Sequence, residues 1–234
     1  KKKKTMKKKV TNSLQSYIVE SAKKKRDYYI RPDIPVILKD RFLSDEVDIE
    51  EFIETIENTI PIHLLRNVEI IYIGDFPHLE GRNALYSDGA IYISSQEPTT
   101  HDLLEDAIHE IAHCAEEKYG PMIYNDGLLE KEFLGKRRRL KSILDAEGYT
   151  IPEKYYSNVE YSKKFDEFLS EEVGYPALLS LTMGLFASPY GATSLREYFA
   201  NGFEKYFLGE AQHVKEVSPM LYNILNTVYK ESDV

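Results

Sequence analysis

The sequence predicts an α+β fold in which a small mixed sheet is followed by a mostly helical C-terminal half. Short runs rich in β-branched residues and bounded by turn residues lie before residue 95, and apolar residues at helical spacing recur between residues 100 and 230. The length of 234 residues and the hydrophobic content of 42% suit one closed core. No apolar run approaches the about 18 residues that a membrane span requires, so we expect no transmembrane segment.

The strands are predicted from β-branched runs and the turns beside them. Residues 68–73 (VEIIYI) end at a Gly-Asp pair, which predicts a buried strand. Residues 84–86 and 90–93 flank an Asp-Gly pair, which predicts a tight hairpin or a strand with a bulge.

The helices are predicted from capping residues and from prolines that end them. Ser44 is a candidate N-cap for a helix that Pro61 ends. Residues 101–118 follow a Thr-x-x-Asp capping arrangement and stop at a Gly-Pro pair. Further helices are predicted at residues 128–147, 160–172, 194–208 and 215–230, and residues 11–29 are weakly helical. We interpret residues 127–176 as a helical insertion.

The charges divide the chain into two parts. Residues 1–26 contain eleven Lys or Arg and one Glu, whereas the remaining 208 residues contain 19 basic and 38 acidic side chains. We therefore predict a basic, partly disordered N-terminal arm over residues 1–30 and an acidic body over residues 31–234. An acidic body repels phosphates, so a nucleic-acid partner fits only the arm.

The first residues bear on the expected location of the protein. The sequence starts with Lys, and Met6 is a candidate natural start. No apolar segment of the length of a signal sequence follows its basic residues. We therefore expect no secretory signal, and a cytoplasmic or phage-associated protein rather than a secreted one.

The most informative segment is His109-Glu110-Ile111-Ala112-His113, an HExxH motif within the helix predicted at residues 101–118. Residues four apart share a helix face, so the two imidazoles can converge on one metal ion, while Glu110 can address the water bound to it. Two half-buried histidines on an amphipathic helix are the alternative. Burying two imidazoles and a carboxylate together is costly without a cation, which favours the metal site.

The third ligand of a catalytic zinc must come from elsewhere in the chain. No further His follows within the next seven residues, and Asp126 and Glu197 are candidates. Glu197 shares a helix face with Ala200, whose small side chain would allow close approach to the HExxH helix. Ser194 and Glu197 also form a Ser-x-x-Glu capping box, in which the carboxylate would only reach back to the Ser194 amide. The residues alone leave these readings open.

The single cysteine, Cys114, excludes an internal disulfide and an all-cysteine zinc finger. Cys114 directly follows His113 and is predicted to point away from the metal-binding face. We expect it to be a small buried neighbour rather than a ligand.

Three elements together resemble the zincin metallopeptidases of the gluzincin type, and among them the catalytic domain of anthrax lethal factor and the Pro-Pro endopeptidases. The elements are HEIAH, the segment EYFANGF beginning at Glu197, which is similar to that family's E-F-F-A-E-x-F helix, and Tyr190, seven residues before Glu197. The resemblance covers roughly residues 65–120 and 185–230. It implies a zincin-like fold, Zn²⁺ as cofactor, Glu197 as third ligand and Tyr190 as the group that stabilises the oxyanion.

The chain departs from this family at two points. The spacing between His113 and Glu197 is longer than expected, in keeping with an insertion that covers or gates the cleft. The family's second acid, four residues after the ligand, is Asn201 here. An Asn carbonyl can still accept the N–H of a metal-bound imidazole, but it brings no charge. Glu105 and Asp106 are candidates to make up that charge, or are a solvated helix start.

The resemblance implies a zinc endopeptidase in which Glu110 accepts a proton from the attacking water. The substrate is then a peptide bound as an added strand beside residues 84–93, with Asn83, Ala84 and Tyr86 as contacts. Two alternatives remain. One is a binding or structural protein that keeps the fold and acts through its basic arm, and the other is a zinc hydrolase that does not cleave peptides.

Overall fold

A computed structural model describes residues 28–231 of the chain. Most of the helical stretch predicted at residues 11–29 and most of the basic arm lie outside these residues. The strands are β1 (Tyr28–Ile30), β2 (Ile34–Leu38), β3 (Ile70–Gly74), β4 (Ala84–Ser87) and β5 (Ala90–Ser94). The helices are α1 (Ile49–Thr59), α2 (Thr100–Tyr124), α3 (Leu128–Ala146), α4 (Lys154–Ser157), α5 (Lys163–Glu167), α6 (Tyr175–Leu181), α7 (Leu195–Lys205), α8 (Ala211–Val217) and α9 (Pro219–Lys230). The predicted mixed α+β architecture is confirmed.

The five strands form one mixed sheet in the order β1-β2-β3-β5-β4. The central pairs β2–β3 and β3–β5 are parallel, and both outer pairs are antiparallel. The predicted hairpin joins β4 to β5 through Asp88 and Gly89, both of which have positive φ. Two successive residues with positive φ form a type I′ turn, whose twist matches the twist of the two strands that it joins. The hairpin leaves β4 at the edge of the sheet.

Strands β1 and β2 were not predicted, and residues 28 and 29 of β1 were instead assigned to the weakly helical stretch at residues 11–29. Tyr29 faces Pro35 in the antiparallel pair, and the parallel ladder with β3 starts only at Val36. Pro35 therefore precedes the positions at which β2 pairs with β3. Residues 28–30, which were assigned to the basic arm, thus form a strand of the sheet.

Helix α2 lies against the sheet and carries the HExxH motif. Alternate residues of β3 and β5 are completely buried, as are the apolar residues of α2 that repeat at helical spacing. These residues are Ile71, Ile73, Ile91, Ile93, Leu103, Ala107, Ile108 and Ile111.

Three predicted helix boundaries were wrong. The helix predicted at residues 215–230 is broken at Ser218, because Pro219 begins a new helix, α9, after α8 has ended at Val217. Helix α2 continues through Pro121 to Tyr124, because buried Ile123 extends its apolar face and compensates for the backbone hydrogen bond that proline lacks. Helix α1 is capped by Asp48, whose side chain accepts the amides of Glu50 and Glu51, rather than by Ser44.

Helix α7 packs between α2 and α9. Ala200 is fully buried on it, and a Cβ atom on Gly202 would lie 2.3 Å from the Leu221 side chain of α9. The absence of a side chain at Gly202 therefore brings α7 close to α9 and fixes the position of its other face. None of the helices within residues 28–231 is long and apolar enough to cross a membrane.

The predicted insertion, residues 127–176, packs on the rest of the body through its apolar side chains. Leu129, Phe133 and Leu140 of α3 are fully buried. The amide of Leu195, at the start of α7, donates to the Val159 carbonyl at 2.8 Å. This segment therefore supports the helix that carries Glu197.

Candidate metal centre

The two imidazoles of the HExxH motif converge on the carboxylate of Glu197. Their ring centroids are 5.1 Å apart. The Nε2 atom of His109 lies 2.9 Å from Glu197 Oε2, and that of His113 lies 3.6 Å from the same oxygen. One potential ligand atom from each of the three residues lies within 4.8 Å of the other two. Two imidazole nitrogens and one carboxylate oxygen make a set that suits a zinc ion with one open position.

The geometry distinguishes between the two candidates for the third ligand, Glu197 and Asp126. The Ser194 hydroxyl accepts the Glu197 amide at 3.1 Å, so Ser194 is the N-cap of α7. The Glu197 carboxylate turns to the histidines instead of completing a capping box. Asp126 is exposed and accepts the Leu128 amide at 2.9 Å, outside the His-His-Glu group.

The charges of the three residues depend on one another. Burial disfavours the imidazolium forms, but hydrogen bonds to Glu197 and to a second carboxylate outweigh it and raise the pKa of His109 to about 10 and that of His113 to about 9. Burial disfavours the carboxylate of Glu197, yet its bonds to both histidines keep its pKa far below the usual range. A divalent cation can replace the two Nε2 protons, so binding is expected to release protons.

Each histidine also contacts a carboxylate through its other ring nitrogen. His113 Nδ1 lies 2.7 Å from Glu116 Oε2, and His109 Nδ1 lies 3.3 Å from Glu204 Oε2. Neither acid was predicted. Glu116 follows His113 by three residues on α2, so helical spacing could have suggested it.

Asn201 does not have the contact expected of it, because Glu204 occupies the Nδ1 side of His109. Asn201 is buried and packs beneath the turn that carries Tyr190, where a Cβ atom on Gly191 would lie 3.1 Å from Asn201 Oδ1. The acid that contacts His109 thus comes from the next turn of α7.

Glu105 and Asp106 do not supply charge to the imidazoles through a hydrogen bond. Glu105 binds Lys205 at 2.9 Å. Asp106 lies beside buried Glu97; its own burial, followed by repulsion from Glu97, raises the pKa of Asp106 to about 8. The burial of Asp106 and its repulsion from Glu97 thus favour the protonated form of its side chain.

We expect Asp106→Asn to reduce the loss of stability at alkaline pH. Because the folded protein holds this proton more tightly than the unfolded chain, the free energy of unfolding falls as pH rises through the window from about 4 to about 8. The variant lacks this proton. Its free energy of unfolding should therefore fall less than that of the wild type between pH 5 and pH 9, by at least about 1.4 kcal/mol, the equivalent of one pKa unit. Urea unfolding at both pH values measures the difference. The exposed variant Glu147→Gln should follow the wild type, and equal losses in all three proteins would contradict the expectation.

Glu110 is buried on α2 and faces β4. Its Oε2 atom accepts the Tyr86 amide at 2.7 Å. The carboxylate is thus fixed by the edge strand, beside the His-His-Glu group but outside it.

Tyr190 lies in a single helical turn over Pro189–Ala192, and its ring centroid is 6.1 Å from that of His109. Burial and the charge of Glu197 raise its pKa well above 10. The hydroxyl therefore keeps its proton and can act as a hydrogen-bond donor.

An open cleft runs across these groups. Asn83, Ala84 and Tyr86 line it, as do Tyr161, Asp166 and other residues between positions 160 and 175. The segment predicted to cover or gate the cleft therefore forms part of its lining.

Cys114 is buried beside the site, and burial raises its pKa to about 11. A thiol with so high a pKa is unreactive, in keeping with a buried neighbour of the site.

Comparison with known proteins found no relative: no protein-family model, no curated protein and no solved structure matches the chain.

Proposed function

We propose that the protein is a zinc-dependent endopeptidase with a zincin-like catalytic domain of the lethal factor type. The observation that carries the proposal is the convergence of His109 and His113 with Glu197, which lies on another helix and at least 84 residues further along the chain. Glu110 is fixed beside them at the edge strand. A site that only held a structural ion would need no such base.

The donor set fits zinc because two imidazoles and one carboxylate leave one coordination position open. Bound there, Zn²⁺ supplies Lewis acidity, which lowers the pKa of water and polarises a carbonyl. The contribution of the chain is to hold the three ligand atoms in place.

Glu110 is the proposed general base. The Tyr86 amide holds its Oε2 atom, which leaves Oε1 to accept a proton from the attacking water. Glu110 then passes that proton to the nitrogen of the leaving amine, as a general acid.

Tyr190 is the proposed oxyanion donor. Its protonated hydroxyl lies in the same cleft as Glu110 and the histidines. Donation to the substrate carbonyl oxygen becomes stronger as negative charge develops there, and such a single donor is typically worth about 3 kcal/mol.

The proposed substrate is a peptide that adds to the sheet at β4. Asn83 accepts the Ser94 amide, so its backbone faces β5, and the alternation of an antiparallel ladder turns Ala84 and Tyr86 the other way. The bond from the Tyr86 amide to Glu110 agrees with this direction. The backbone of Ala84 therefore faces the cleft and can pair with an extended peptide.

Metal content and proteolysis test this function together. Purified protein should contain about one zinc per chain and cleave a denatured protein mixture, because the site supplies both ligands and base. A chelator should abolish cleavage, and stoichiometric zinc should restore it. Zinc without cleavage would favour a binding or structural role, and zinc with hydrolysis of small esters but not of peptides would favour another hydrolase. Either result would overturn the proposal.

A further inference from the structure

Both imidazoles of the metal centre belong to a chain of three groups: an imidazole, a carboxylate and a cation. At His113 the acid is Glu116, and Arg196 Nη2 lies 3.0 Å from its Oε2. At His109 the acid is Glu204, with Lys205 at 3.2 Å. The shorter imidazole contact is that of Glu116, at 2.7 Å against 3.3 Å.

Glu116 is more tightly fixed than an ordinary helical acid. It is 8% exposed. Besides His113, its carboxylate accepts Arg196 Nε at 3.2 Å and the Tyr124 hydroxyl in a short hydrogen bond. Three donors from two helices therefore set the orientation of one carboxylate, and burial is outweighed by these bonds, which lower its pKa.

The stability of the fold does not explain this arrangement. The Arg196 side chain is 60% exposed, and an ion pair with so exposed a partner contributes little to stability. Burying the Glu116 carboxylate costs free energy that the pair alone does not recover. What the arrangement does achieve is a fixed acceptor for the Nδ1–H group of His113.

We infer that Glu116, held by Arg196, is a positioning residue that sets the tautomer and orientation of His113 for metal binding. With Nδ1 donating to the carboxylate, the lone pair of Nε2 faces Glu197 and the metal position, and the nearby negative charge makes that nitrogen a stronger ligand. Arg196 directly precedes the ligand Glu197. The same turn of α7 therefore supplies one metal ligand and the side chain that holds Glu116, which in turn orients the ligand His113. The inference rests on the proposed metal site.

Zinc affinity, measured by competition with a chelating indicator, tests this role without any peptidase assay. Glu116→Gln keeps an oxygen acceptor but loses the charge, and we expect about 10–100-fold weaker binding of zinc. Glu116→Ala loses both and should bind more weakly still, whereas Arg196→Gln should lie between the wild type and Glu116→Gln. Arg196→Lys, which keeps the charge, should recover part of the affinity.

The matched control is Glu117→Gln, which removes the same charge one residue further along α2, at an exposed position where the carboxylate accepts the Tyr86 hydroxyl at 2.7 Å rather than a histidine; the readout is metal binding only. It should bind zinc within about 3-fold of the wild type. Cobalt substituted for zinc gives a second readout, because a reoriented His113 changes the visible absorption of the cobalt site in Glu116→Gln but not in Glu117→Gln. If Glu116→Gln does not fold, as judged by circular dichroism, the comparison of Arg196→Gln with Arg196→Lys carries the test.

Different results would overturn the role of Glu116 and the proposed metal site. If the wild type binds zinc tightly and Glu116→Gln matches Glu117→Gln in both affinity and cobalt spectrum, the role of Glu116 is overturned and the metal site stands. If the wild type itself binds no zinc, the proposed function is overturned together with it.

Discussion

Replacing Glu110 by Gln is expected to lower the rate of peptide hydrolysis by on the order of 10²–10⁴-fold, the usual contribution of a general base. The amide cannot accept the proton of the attacking water. It has the size of the carboxylate and can still accept the Tyr86 amide, so the edge strand should stay in place. Zinc content should be unchanged, because Glu110 is not part of the His-His-Glu group.

The measurement is the initial rate of cleavage of a denatured protein mixture, together with the zinc content of the same preparation. Glu130→Gln, an exposed acid on α3, is the matched control and should retain wild-type activity and zinc. An equal rate for Glu110→Gln and the wild type would show that the cleavage came from a contaminant or from another group. Loss of zinc from Glu110→Gln would instead show that Glu110 is needed to hold the metal.

The sequence predicted those parts of the site that depend on local spacing. The helical repeat alone places His109 and His113 on one face, and the structure keeps them there. The hairpin before α2 was predicted from an Asp-Gly pair, because few residues tolerate two successive positive φ angles.

Local sequence patterns could not predict which side chains from distant segments of the chain would be in contact. Glu197 was open to two readings until the resemblance was considered, because its capping role and its ligand role need the same residue at the same place. Glu204 lies seven residues after Glu197, so helical spacing places both on one face of α7, but its contact with His109 depends on the rotation of α7 against α2. That rotation is set by packing at Gly202 and Ala200, which a repeat pattern does not encode.

Loss of Arg137 is expected to destabilise the fold strongly. It is completely buried on α3, and its guanidinium lies between the rings of Phe133 and Phe165, 4.8 and 4.3 Å from their centroids. Its Nη1 and Nη2 atoms donate to the carbonyls of Tyr155 and Thr193, at 2.6 and 2.9 Å. Among residues 28–231 no carboxylate lies within salt-bridge distance of it; burial lowers its pKa to about 9, so it remains charged at neutral pH.

We expect Arg137→Ala to lower the free energy of unfolding by on the order of 3–5 kcal/mol. The substitution leaves a cavity between two aromatic rings and removes the donors from two carbonyls. Arg137→Met should cost less than Arg137→Ala, because its longer side chain still fills part of the space between the rings. Denaturant unfolding measures all three proteins.

The matched control is Arg139→Ala, the same substitution at an exposed position two residues further along α3, which should change stability by less than about 0.5 kcal/mol.

Arg137 is also linked to the candidate site through Thr193, whose carbonyl it binds. Thr193 donates its amide and its hydroxyl to the Tyr190 carbonyl, at 3.0 and 2.8 Å. Arg137→Met should therefore slow catalysis more than it weakens zinc binding, since the Tyr190 turn loses its support while the ligands keep theirs. Equal stability of Arg137→Ala and Arg139→Ala would contradict the structural role, and unchanged turnover in Arg137→Met would show that the Tyr190 turn is held by its own packing.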